Sequence, residues 1–235
     1  MASADFSRAV GAAVAHLAEG GFLAYPTETV WGLGACADRP QAIERLMRWK
    51  GRAGDAPLAV LVVSAASAES LGCRFDATAR RLMAEHWPGP LMLVVPCSAR
   101  LAPGVARADG ALGLRCSPHP VTRALAEAVE AAGLGPLTST SLNRSGDPPA
   151  LDAEAARAVV REPASRAGSD RLARPLWLEG LLEAPEHDAG GSAPSSVVDC
   201  TGEEPVILRV GAIDRETLEQ SWRDGGTRVA AHSTH

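Results

Sequence analysis

The sequence predicts an α/β fold, a twisted open sheet of mixed strand direction that is flanked by helices. Apolar runs typical of buried strands alternate with helical patterns through most of the chain, as they do in α/β sheets. Near the C-terminal end, strand-like runs follow one another with short connections, which also favours antiparallel pairing. The 235 residues are 46% hydrophobic, enough for one buried core, so we expect one domain over residues 1–224 and a frayed tail over residues 225–235.

The first half of the chain divides into helices and strands by the spacing of its apolar residues. An apolar residue at every third or fourth position from Phe6 to Leu17 predicts an opening helix that Gly20 ends. Asp38 is the expected cap of the next helix, because its carboxylate can accept from first-turn N–H groups. The elements predicted after the opening helix are a strand at 22–25, a helix at 40–50, a strand at 58–63, a helix at 76–86 and a strand at 91–95.

The second half continues the alternation and then becomes richer in strands. The predicted elements are a strand at 112–116, a helix at 120–132, a strand at 137–141, a helix at 152–161, short strands at 176–178, 197–200 and 206–210, and a last helix at 214–222. Residues 183–196 are rich in Gly, Pro, Ser and acidic side chains, which is typical of a mobile surface loop. We expect this loop to act as a lid.

Composition and spacing exclude several classes of protein. The net charge of -5 gives no overall positive field for non-specific nucleic-acid binding, although a local basic groove remains open. Five scattered cysteines without a Cys-x-x-Cys pair argue against a disulfide framework or a zinc ribbon and favour a reducing, cytoplasmic compartment. No run approaches the roughly 18 apolar residues of a membrane span. The six histidines have no metal-ligand spacing, so we expect no metal held by protein ligands alone.

Two cations follow the helix at 40–50. Lys50 and Arg52 stand in a turn with glycines at 51 and 54, which allow a ligand to approach the backbone closely. Such a pair suits a nucleotide triphosphate, whose charge increases at the leaving oxygens during attack at phosphorus. The competing interpretation is that both side chains are solvated and complement the helix dipole.

Hydroxyl side chains are concentrated at two strand exits. The run Ser-Thr-Ser-Leu-Asn-Arg-Ser-Gly at 139–146 offers donors and acceptors for a sugar, a phosphate or an amino acid. An ordinary Ser/Asn/Gly turn is the alternative. Thr27-Glu28-Thr29 follows the strand at 22–25, and its hydroxyls could likewise either contact a ligand or cap a turn. Arg115 interrupts an apolar strand, so its guanidinium requires an anionic partner, either a substrate carboxylate or an internal Asp or Glu.

Five motifs also occur in the order that characterises a known family. They are Tyr-Pro-Thr-Glu-Thr-Val-Trp-Gly-Leu-Gly at 25–34, Lys-Gly-Arg at 50–52, Leu-Arg at 114–115 with His-Pro at 119–120, Ser-Leu-Asn at 141–143, and the closing segments 195–199 and 207–213. Together they resemble the motifs of the YrdC-like threonylcarbamoyl-AMP synthases, in the short form without an extra C-terminal domain. The likeness runs from about residue 8 to residue 220 and covers nearly the whole chain.

The resemblance implies a fold with a large concave cavity and a particular reaction. Members of the family convert L-threonine, bicarbonate and ATP to threonylcarbamoyl-AMP and pyrophosphate, which is nucleotidyl transfer. Other enzymes then pass the threonylcarbamoyl group to an adenosine of tRNA, so downstream tRNA-modifying enzymes and weak tRNA binding are the implied partners. Mg²⁺ is expected with the ATP, held mainly by phosphate oxygens and water.

The resemblance also implies roles for individual residues. Lys50 and Arg52 would be the catalytic cations. Threonine would be held by Thr29, Arg115, Ser139 and Ser195. The nucleotide would be held by Lys50, Arg52, Ser141, Asn143 and Arg209.

Four positions depart from the family pattern and leave alternatives open. Ala53 stands where Pro is common, Ala56 where a polar residue is common, Leu142 where a small residue is common, and Leu61 where some members have a polar group. A paralogue that forms a carbamoyl-adenylate on another acceptor therefore remains possible. An RNA-binding module that uses the same basic groove is the alternative from another class.

Overall fold

The computed structural model describes residues 4–52, 57–162, 171–183 and 193–223. Within these residues the sheet has eight strands, which are β1 (Phe22–Tyr25), β2 (Gly32–Ala35), β3 (Ala59–Leu61), β4 (Leu91–Pro96), β5 (Ala111–Arg115), β6 (Thr138–Ser141), β7 (Ser196–Asp199) and β8 (Val206–Arg209). β3 runs parallel to β5 and β4 parallel to β7, and the other neighbours are antiparallel, so the predicted mixed sheet is confirmed. The order of the strands across the sheet is β1-β2-β6-β3-β5-β4-β7-β8.

Helices connect the strands and cover the sheet. Within the described ranges they are α1 (Ala4–Ala18), α2 (Pro40–Lys50), α3 (Ala65–Ser70), α4 (Ala77–His86), α5 (Pro120–Ala131), α6 (Ala153–Arg161) and α7 (Arg215–Arg223), with 3-10 turns at Arg171–Ala173 and Glu179–Glu183. The alternation of helix and strand that the sequence predicts is therefore observed over most of the chain.

Capping explains where several helices begin. The Asp76 carboxylate accepts from the backbone N of Ala79 at 2.7 Å and so caps α4. The predicted cap of α2 was wrong. Arg39, not Asp38, occupies the N-cap position and its side chain makes no capping bond, while Pro40 opens the helix because its ring has the required φ and lacks the N–H that would be left unpaired. Gly51 ends α2 at φ +65°, a conformation that glycine adopts without strain.

The two faces of the sheet carry two separate apolar clusters. Alternate residues of β1 belong to different clusters, Phe22 and Ala24 to one and Leu23 and Tyr25 to the other, because successive side chains of a strand point to opposite faces. The first cluster includes residues of α2 and α4, and the second includes residues of α1 and α5. The core therefore has a layer of helices on each side of the sheet.

Three sequence-based predictions of strands need correction. The strand predicted at 58–63 is shorter in the structure, where only β3 (Ala59–Leu61) forms. The strand predicted at 176–178 is reduced to an isolated bridge between Leu23 and Leu176. β2 was not predicted, because its Gly-Leu-Gly-Ala sequence has low strand propensity. Its glycines are required by close packing: a Cβ at Gly34 would lie 2.3 Å from the carbonyl oxygen of Thr138.

Two further predictions concern residues outside the described part of the chain. The tail at 225–235 and most of the lid at 183–196 lie there, so both stay predictions, as does the single-domain assignment. Among the helices that the structure describes, none combines the length and the apolar character needed to cross a bilayer.

Candidate functional site

A cavity of about 330 Å³ opens where loops and strand ends meet. On β4, Leu91, Leu93 and Val95 belong to the core under α4, so Met92 points to the opposite face and forms part of the cavity floor. The other described lining residues come from eight separate segments of the chain. They are Thr29, Val30, Trp31, Gly32, Arg52, Pro57, Leu58, Ala59, Arg115, Ser139, Thr140, Ser141, Pro149, Pro194, Ser195 and Arg209.

Positive charge dominates this cavity. Arg52, Arg115 and Arg209 line it, and no Asp or Glu is among the lining residues that the structure describes. Arg52 is half-buried, donating to Thr140 Oγ1 at 3.2 Å and to the Pro57 carbonyl oxygen at 3.3 Å. Burial lowers the pKa of Arg52 from its ordinary value, which reflects the cost of removing a cation from water. An anionic ligand would offset that cost.

Arg115 has an internal anionic partner, Glu28. Its Nη2 donates to Glu28 Oε1 and, at 3.3 Å, to Thr29 Oγ1. Ser117 Oγ donates to the other carboxylate oxygen of Glu28, so this carboxylate is held from two sides. The Nε of Arg115 is buried and makes no hydrogen bond within the described residues. Of the two partners that the sequence left open, the internal one is present, and a buried donor still remains for a ligand.

Thr27 fixes the loop that presents Thr29. Thr27 Oγ1 donates to the Val30 carbonyl oxygen at 2.6 Å and accepts from the Thr29 backbone N at 3.1 Å. It also lies 3.1 Å from Thr29 Oγ1. Both threonines are buried. Local side-chain bonds of this kind hold a turn in one conformation, so the Thr29 hydroxyl is positioned before any ligand arrives.

Ser195 and Arg209 line the cavity as well. Arg209 Nε and Nη2 donate to the Ser195 carbonyl oxygen at 3.0 and 2.8 Å. The Ser195 hydroxyl is buried and has no hydrogen-bond partner among the described residues. Burial, and then the positive charge of Arg115, lower the pKa of Arg209 from its ordinary value. A buried hydroxyl without a partner is unfavourable in the free protein and is favourable only when a ligand completes it.

Lys50 lies behind the cavity wall. Its Nζ donates to the Ser141 carbonyl oxygen at 2.5 Å, to the Asn143 carbonyl oxygen at 3.1 Å and to Asn143 Oδ1 at 2.8 Å. Asn143 Oδ1 also accepts from Ser141 Oγ at 2.7 Å, and Asn143 Nδ2 donates to the Asp147 carbonyl oxygen at 2.6 Å. Lys50 thus joins the end of α2 to the exit of β6 and holds Ser141 in place.

The charge of Lys50 is costly in this position. Burial, followed by repulsion from Arg52 and Arg144, lowers the pKa of Lys50 to about 8. Lys50 is also the only lysine of the chain. A nearby anion would raise this pKa again, so occupation of the cavity and protonation of Lys50 favour each other.

Most of the residues predicted from the sequence lie together. Thr29, Arg52, Arg115, Ser139, Ser141, Ser195 and Arg209 line one cavity. Lys50 and Asn143 support it from behind. Sequence reasoning missed the part played by Glu28 and Ser117, which hold Arg115. The available signal was the acidic residue between Thr27 and Thr29, since a buried arginine requires an anion.

The site and the fold together define a class of protein. An open mixed sheet with a cationic, hydroxyl-lined cavity at its strand ends is the arrangement of a protein that binds a phosphorylated or carboxylated small molecule. Residues 15–167 match the sequence model of the Sua5/YciO/YrdC family, which carries the description "Telomere recombination". The chain belongs to this family.

Relatives of known name agree with that membership. A Mycobacterium tuberculosis protein is 36% identical over 217 residues, which is 91% of this chain and 89% of the relative. The threonylcarbamoyl-AMP synthase of Chromohalobacter salexigens is 41% identical over 64% of this chain and 79% of its own length. The enzyme of that name from Bacillus subtilis is 32% identical over 89% of this chain and 55% of its own length.

Solved structures show the same fold. Pyrococcus abyssi Sua5 complexed with L-threonine superposes with a TM-score of 0.73 at 27% identity, covering 90% of this chain. The chain spans 56% of the length of that protein. Escherichia coli YciO superposes with a TM-score of 0.71 at 23% identity, over 90% of this chain and 93% of YciO. The likeness to YciO concerns the fold alone.

Proposed function

We propose that this chain makes threonylcarbamoyl-AMP from L-threonine, bicarbonate and ATP and releases pyrophosphate, as a nucleotidyltransferase. The single observation that carries the proposal is the convergence of Arg52, Arg115 and Arg209 with unpaired buried donors in one cavity. Relatives that are named threonylcarbamoyl-AMP synthases supply the choice of reaction. Both substrates that must meet carry anionic groups, a carboxylate on the amino acid and phosphates on the nucleotide.

The reaction requires positioning more than a protein nucleophile. The threonine amine attacks the carbon of bicarbonate, and loss of water leaves a carbamate. A carbamate oxygen then attacks the α-phosphorus of ATP, the bond to the β-phosphate oxygen breaks, and pyrophosphate leaves. Holding the carbamate in line with the α-phosphate converts a bimolecular step into an effectively unimolecular one. Fixed cations stabilise the charge that develops on the leaving oxygens.

The Arg115 side of the cavity suits the threonine carboxylate. Arg115 Nε and the Ser195 hydroxyl are buried donors that lack partners within the described residues, and a carboxylate accepts from both. The Thr29 hydroxyl lies at the same guanidinium, and Ser139 lines the cavity nearby. Glu28 keeps the Arg115 guanidinium in one orientation. We assign Arg115, Ser195, Thr29 and Ser139 to threonine.

The Arg52 side suits the triphosphate. Arg52 and Ser141 line the cavity, and Lys50 and Asn143 lie directly behind Ser141. Arg209 also lines the cavity, and its charge would be shared with the nucleotide. We assign Arg52 to direct contact with phosphate oxygens and the Lys50 charge to their neutralisation from behind the wall. Asn143, through its bonds to Lys50 and Ser141, positions both groups.

Magnesium would enter with the triphosphate. No group of three or more His, Cys, Asp or Glu side chains within the described residues is placed to hold a metal ion, and the lining offers hydroxyl oxygens instead. Hydroxyl oxygen is a hard donor that fits Mg²⁺, and Thr140 and Ser141 would supply it beside phosphate oxygens and water. The ion would neutralise charge on the phosphates when bound.

The product is an activated carbamoyl group. A mixed anhydride of this kind has a use only when a second enzyme transfers the group, and we propose tRNA-modifying enzymes that act on an adenosine as the recipients. Weak binding of tRNA to this chain forms part of the same proposal.

The decisive experiment is direct detection of the product. Purified protein with ATP, threonine, Mg²⁺ and ¹³C-bicarbonate is expected to give threonylcarbamoyl-AMP that carries the label, together with an equal amount of pyrophosphate. Each omission of one substrate is the control. Pyrophosphate release with another amino acid, and none with threonine, would identify a paralogue with a different acceptor. Absence of both product and pyrophosphate across a panel of amino acids would overturn the proposal.

A separate measurement addresses the RNA-binding alternative. If the cavity binds ATP and threonine, saturating both should remove any RNA affinity that depends on Arg52 and Arg115. Salt-sensitive RNA binding that persists under saturation would favour the RNA-binding module instead.

A further inference from the structure

Cys73 and Cys97 face each other in an isolated antiparallel bridge away from the cavity. Cys73 follows α3, and Cys97 follows β4. On one side of the pair, the Arg74 N donates to the Pro96 carbonyl oxygen at 2.9 Å, and on the other, the Ser98 N donates to the Gly72 carbonyl oxygen at 3.1 Å. The two cysteines do not bond to each other through their backbones. They are therefore a non-hydrogen-bonded antiparallel pair.

This backbone arrangement is suited to a disulfide. Cα atoms in a non-hydrogen-bonded antiparallel pair are about 4.5 Å apart, which lies within the range of about 4.4 to 6.8 Å that disulfides span. The Cys73 Sγ donates to the Cys97 Sγ at 2.7 Å, so the side chains already point at each other. All five cysteines are free thiols. Forming the bond requires no change of register between the two segments.

The other three cysteines provide internal controls. Cys36, Cys116 and Cys200 are buried. The thiols of Cys36 and Cys116 donate hydrogen bonds to the carbonyl oxygens of Leu17 and Val63 rather than to another sulfur. The sequence did not reveal the pair, because an odd number of widely spaced cysteines argues against a disulfide framework. Only the fold brings Cys73 and Cys97 together.

The two thiols differ in access and in acidity. Cys97 is half-buried and Cys73 is buried, so a soluble reagent reaches Cys97 first. The hydrogen bond from the Cys73 thiol lowers the pKa of Cys97, and N–H groups of residues 98 and 99 act in the same direction. That same bond and burial raise the pKa of Cys73. Cys97 is therefore the attacking thiol and Cys73 the resolving one.

We propose that Cys73 and Cys97 form a modification site at which a small disulfide such as glutathione disulfide installs a reversible intramolecular disulfide. The Cys97 thiolate attacks one glutathione sulfur, the glutathione disulfide bond breaks, and one glutathione thiolate leaves. The Cys73 sulfur then attacks the Cys97 sulfur of the mixed disulfide and releases the second glutathione. Two cysteine thiols are oxidised, one disulfide is reduced to two thiols, and the two cysteine protons pass to the glutathiones.

The test compares the fully reduced protein with the same protein after exposure to glutathione disulfide. The expected result is an intact mass lower by about 2 Da with no retained glutathione, the loss of two of five titratable thiols, and one cross-linked peptide pair containing Cys73 and Cys97. Excess reduced glutathione should restore the starting mass. None of these readouts depends on catalytic activity, so the result stands or falls independently of the proposed function.

Variants give the matched control. In Cys97→Ser no disulfide should form, in Cys73→Ser a glutathione adduct should persist on Cys97, and in Cys116→Ser the cross-link should form as in the unchanged chain. If a variant fails to fold, peptide mapping of the unchanged chain still decides. A stable glutathione adduct in that chain, a cross-link to any other cysteine, or a disulfide between two chains would each overturn the proposal.

The bridge should also be visible in stability. It would close the segment 73–97, which contains all of α4 and β4. Closing a loop of that size removes conformational freedom from the unfolded chain and should raise the thermal midpoint by about 5 to 10 °C in a domain of this length. A lower midpoint after oxidation would mean that the native backbone does not accommodate the bond.

Discussion

The two sides of the cavity differ in how completely the free protein satisfies its own polar groups. On the α2 side, Lys50 is bonded to three oxygens, and Asn143 is bonded through both atoms of its amide. On the β5 side, Arg115 Nε and Ser195 Oγ are buried without hydrogen bonds to described residues. The first side is a finished network. The second is complete only when a ligand supplies acceptors.

This difference separates support from recognition. Removing a group from a finished network leaves its former partners unsatisfied and costs stability. Removing a group that has no partner in the free protein costs little stability, and the loss appears in ligand binding. The same type of substitution should therefore have opposite consequences on the two sides, and the variants below test that expectation.

The largest expected effect is that of Arg52→Ala. Loss of a partly buried cation that contacts phosphate should lower kcat/KM for ATP by about 10²- to 10³-fold, since such contacts contribute about 3 to 4 kcal/mol to transition-state binding. The thermal midpoint should change little, because Arg52 stands outside the Lys50–Asn143 network and its two hydrogen bonds to described residues are both long. Arg48→Ala, at an exposed position of α2, is the control. Near-native turnover in Arg52→Ala would contradict the assignment.

The next effect is that of Arg115→Lys. Lysine retains the charge for Glu28 but cannot reproduce the planar set of donors, so threonine affinity should fall by about 100-fold, with little change in affinity for ATP. Calorimetric titration of each substrate measures both. Arg123→Lys, at an exposed ion pair with Glu127, should change neither affinity. Equal losses for threonine and ATP would show that Arg115 does not distinguish the two ends of the cavity.

A pH profile tests the α2 side. The pKa of Lys50 is lowered from 10.5 to about 8, so its charge is present below pH 8 and disappears above it. The value of kcat/KM for ATP should then fall by up to about tenfold per pH unit above pH 8. Thiols and the amine of threonine also titrate in this range, so the assignment to Lys50 rests on comparison with a variant. Lys50→Arg should remove the fall, and an unchanged profile in that variant would exclude Lys50 as its source.

The lowered pKa of Lys50 also predicts that stability changes with pH in the direction opposite to turnover. Between about pH 8 and 10.5 the unfolded chain binds a proton at Lys50 that the folded protein has already released. The free energy of unfolding should therefore rise with pH in this interval, while turnover falls. Chemical denaturation at several pH values, compared with Lys50→Arg, isolates the contribution of this side chain.

The smallest effect comes from two adjacent serines. Ser195→Ala should weaken threonine binding by about 5- to 10-fold and leave stability unchanged, because the hydroxyl has no partner in the free protein. Ser196 Oγ donates to the Ile213 carbonyl oxygen at 2.6 Å and accepts from the backbone N of Gly211 and of Ile213. Ser196→Ala should lower the free energy of unfolding by about 1 to 3 kcal/mol and leave threonine affinity unchanged. A loss of stability in Ser195→Ala and a loss of threonine affinity in Ser196→Ala would contradict these two roles.

Periodicity and short motifs were enough to predict most of the fold. The opening helix, β1, α4, β4 and α5 were predicted within one or two residues, because apolar spacing and caps act locally. β2 was missed because the close approach of Gly34 to Thr138 is a tertiary requirement that does not show in strand propensity. The strand predicted at 58–63 was too long because its partners on β5 and β6 pair with it only briefly.

The sequence was enough to predict which residues belong to the candidate site, but not how they are buried and paired. The motifs identified Arg52, Arg115 and the hydroxyl residues as members of one site, and they share one cavity. The burial of Lys50 was not predictable, since a lysine at a helix end is ordinarily solvated. The pairing of Glu28 with Arg115 joins residues 87 positions apart, and only the register of the sheet brings them together.

Lys50 also links the local unfolding of α2 to the state of the cavity. If the last turn of α2 frays, Nζ withdraws from Ser141 and Asn143, and the loop after β6 loses three bonds. A ligand that binds Ser141 from the cavity side should then lower the equilibrium population of the open form of α2. Amide hydrogen exchange in the residues before Gly51 would therefore register an occupied cavity from outside it.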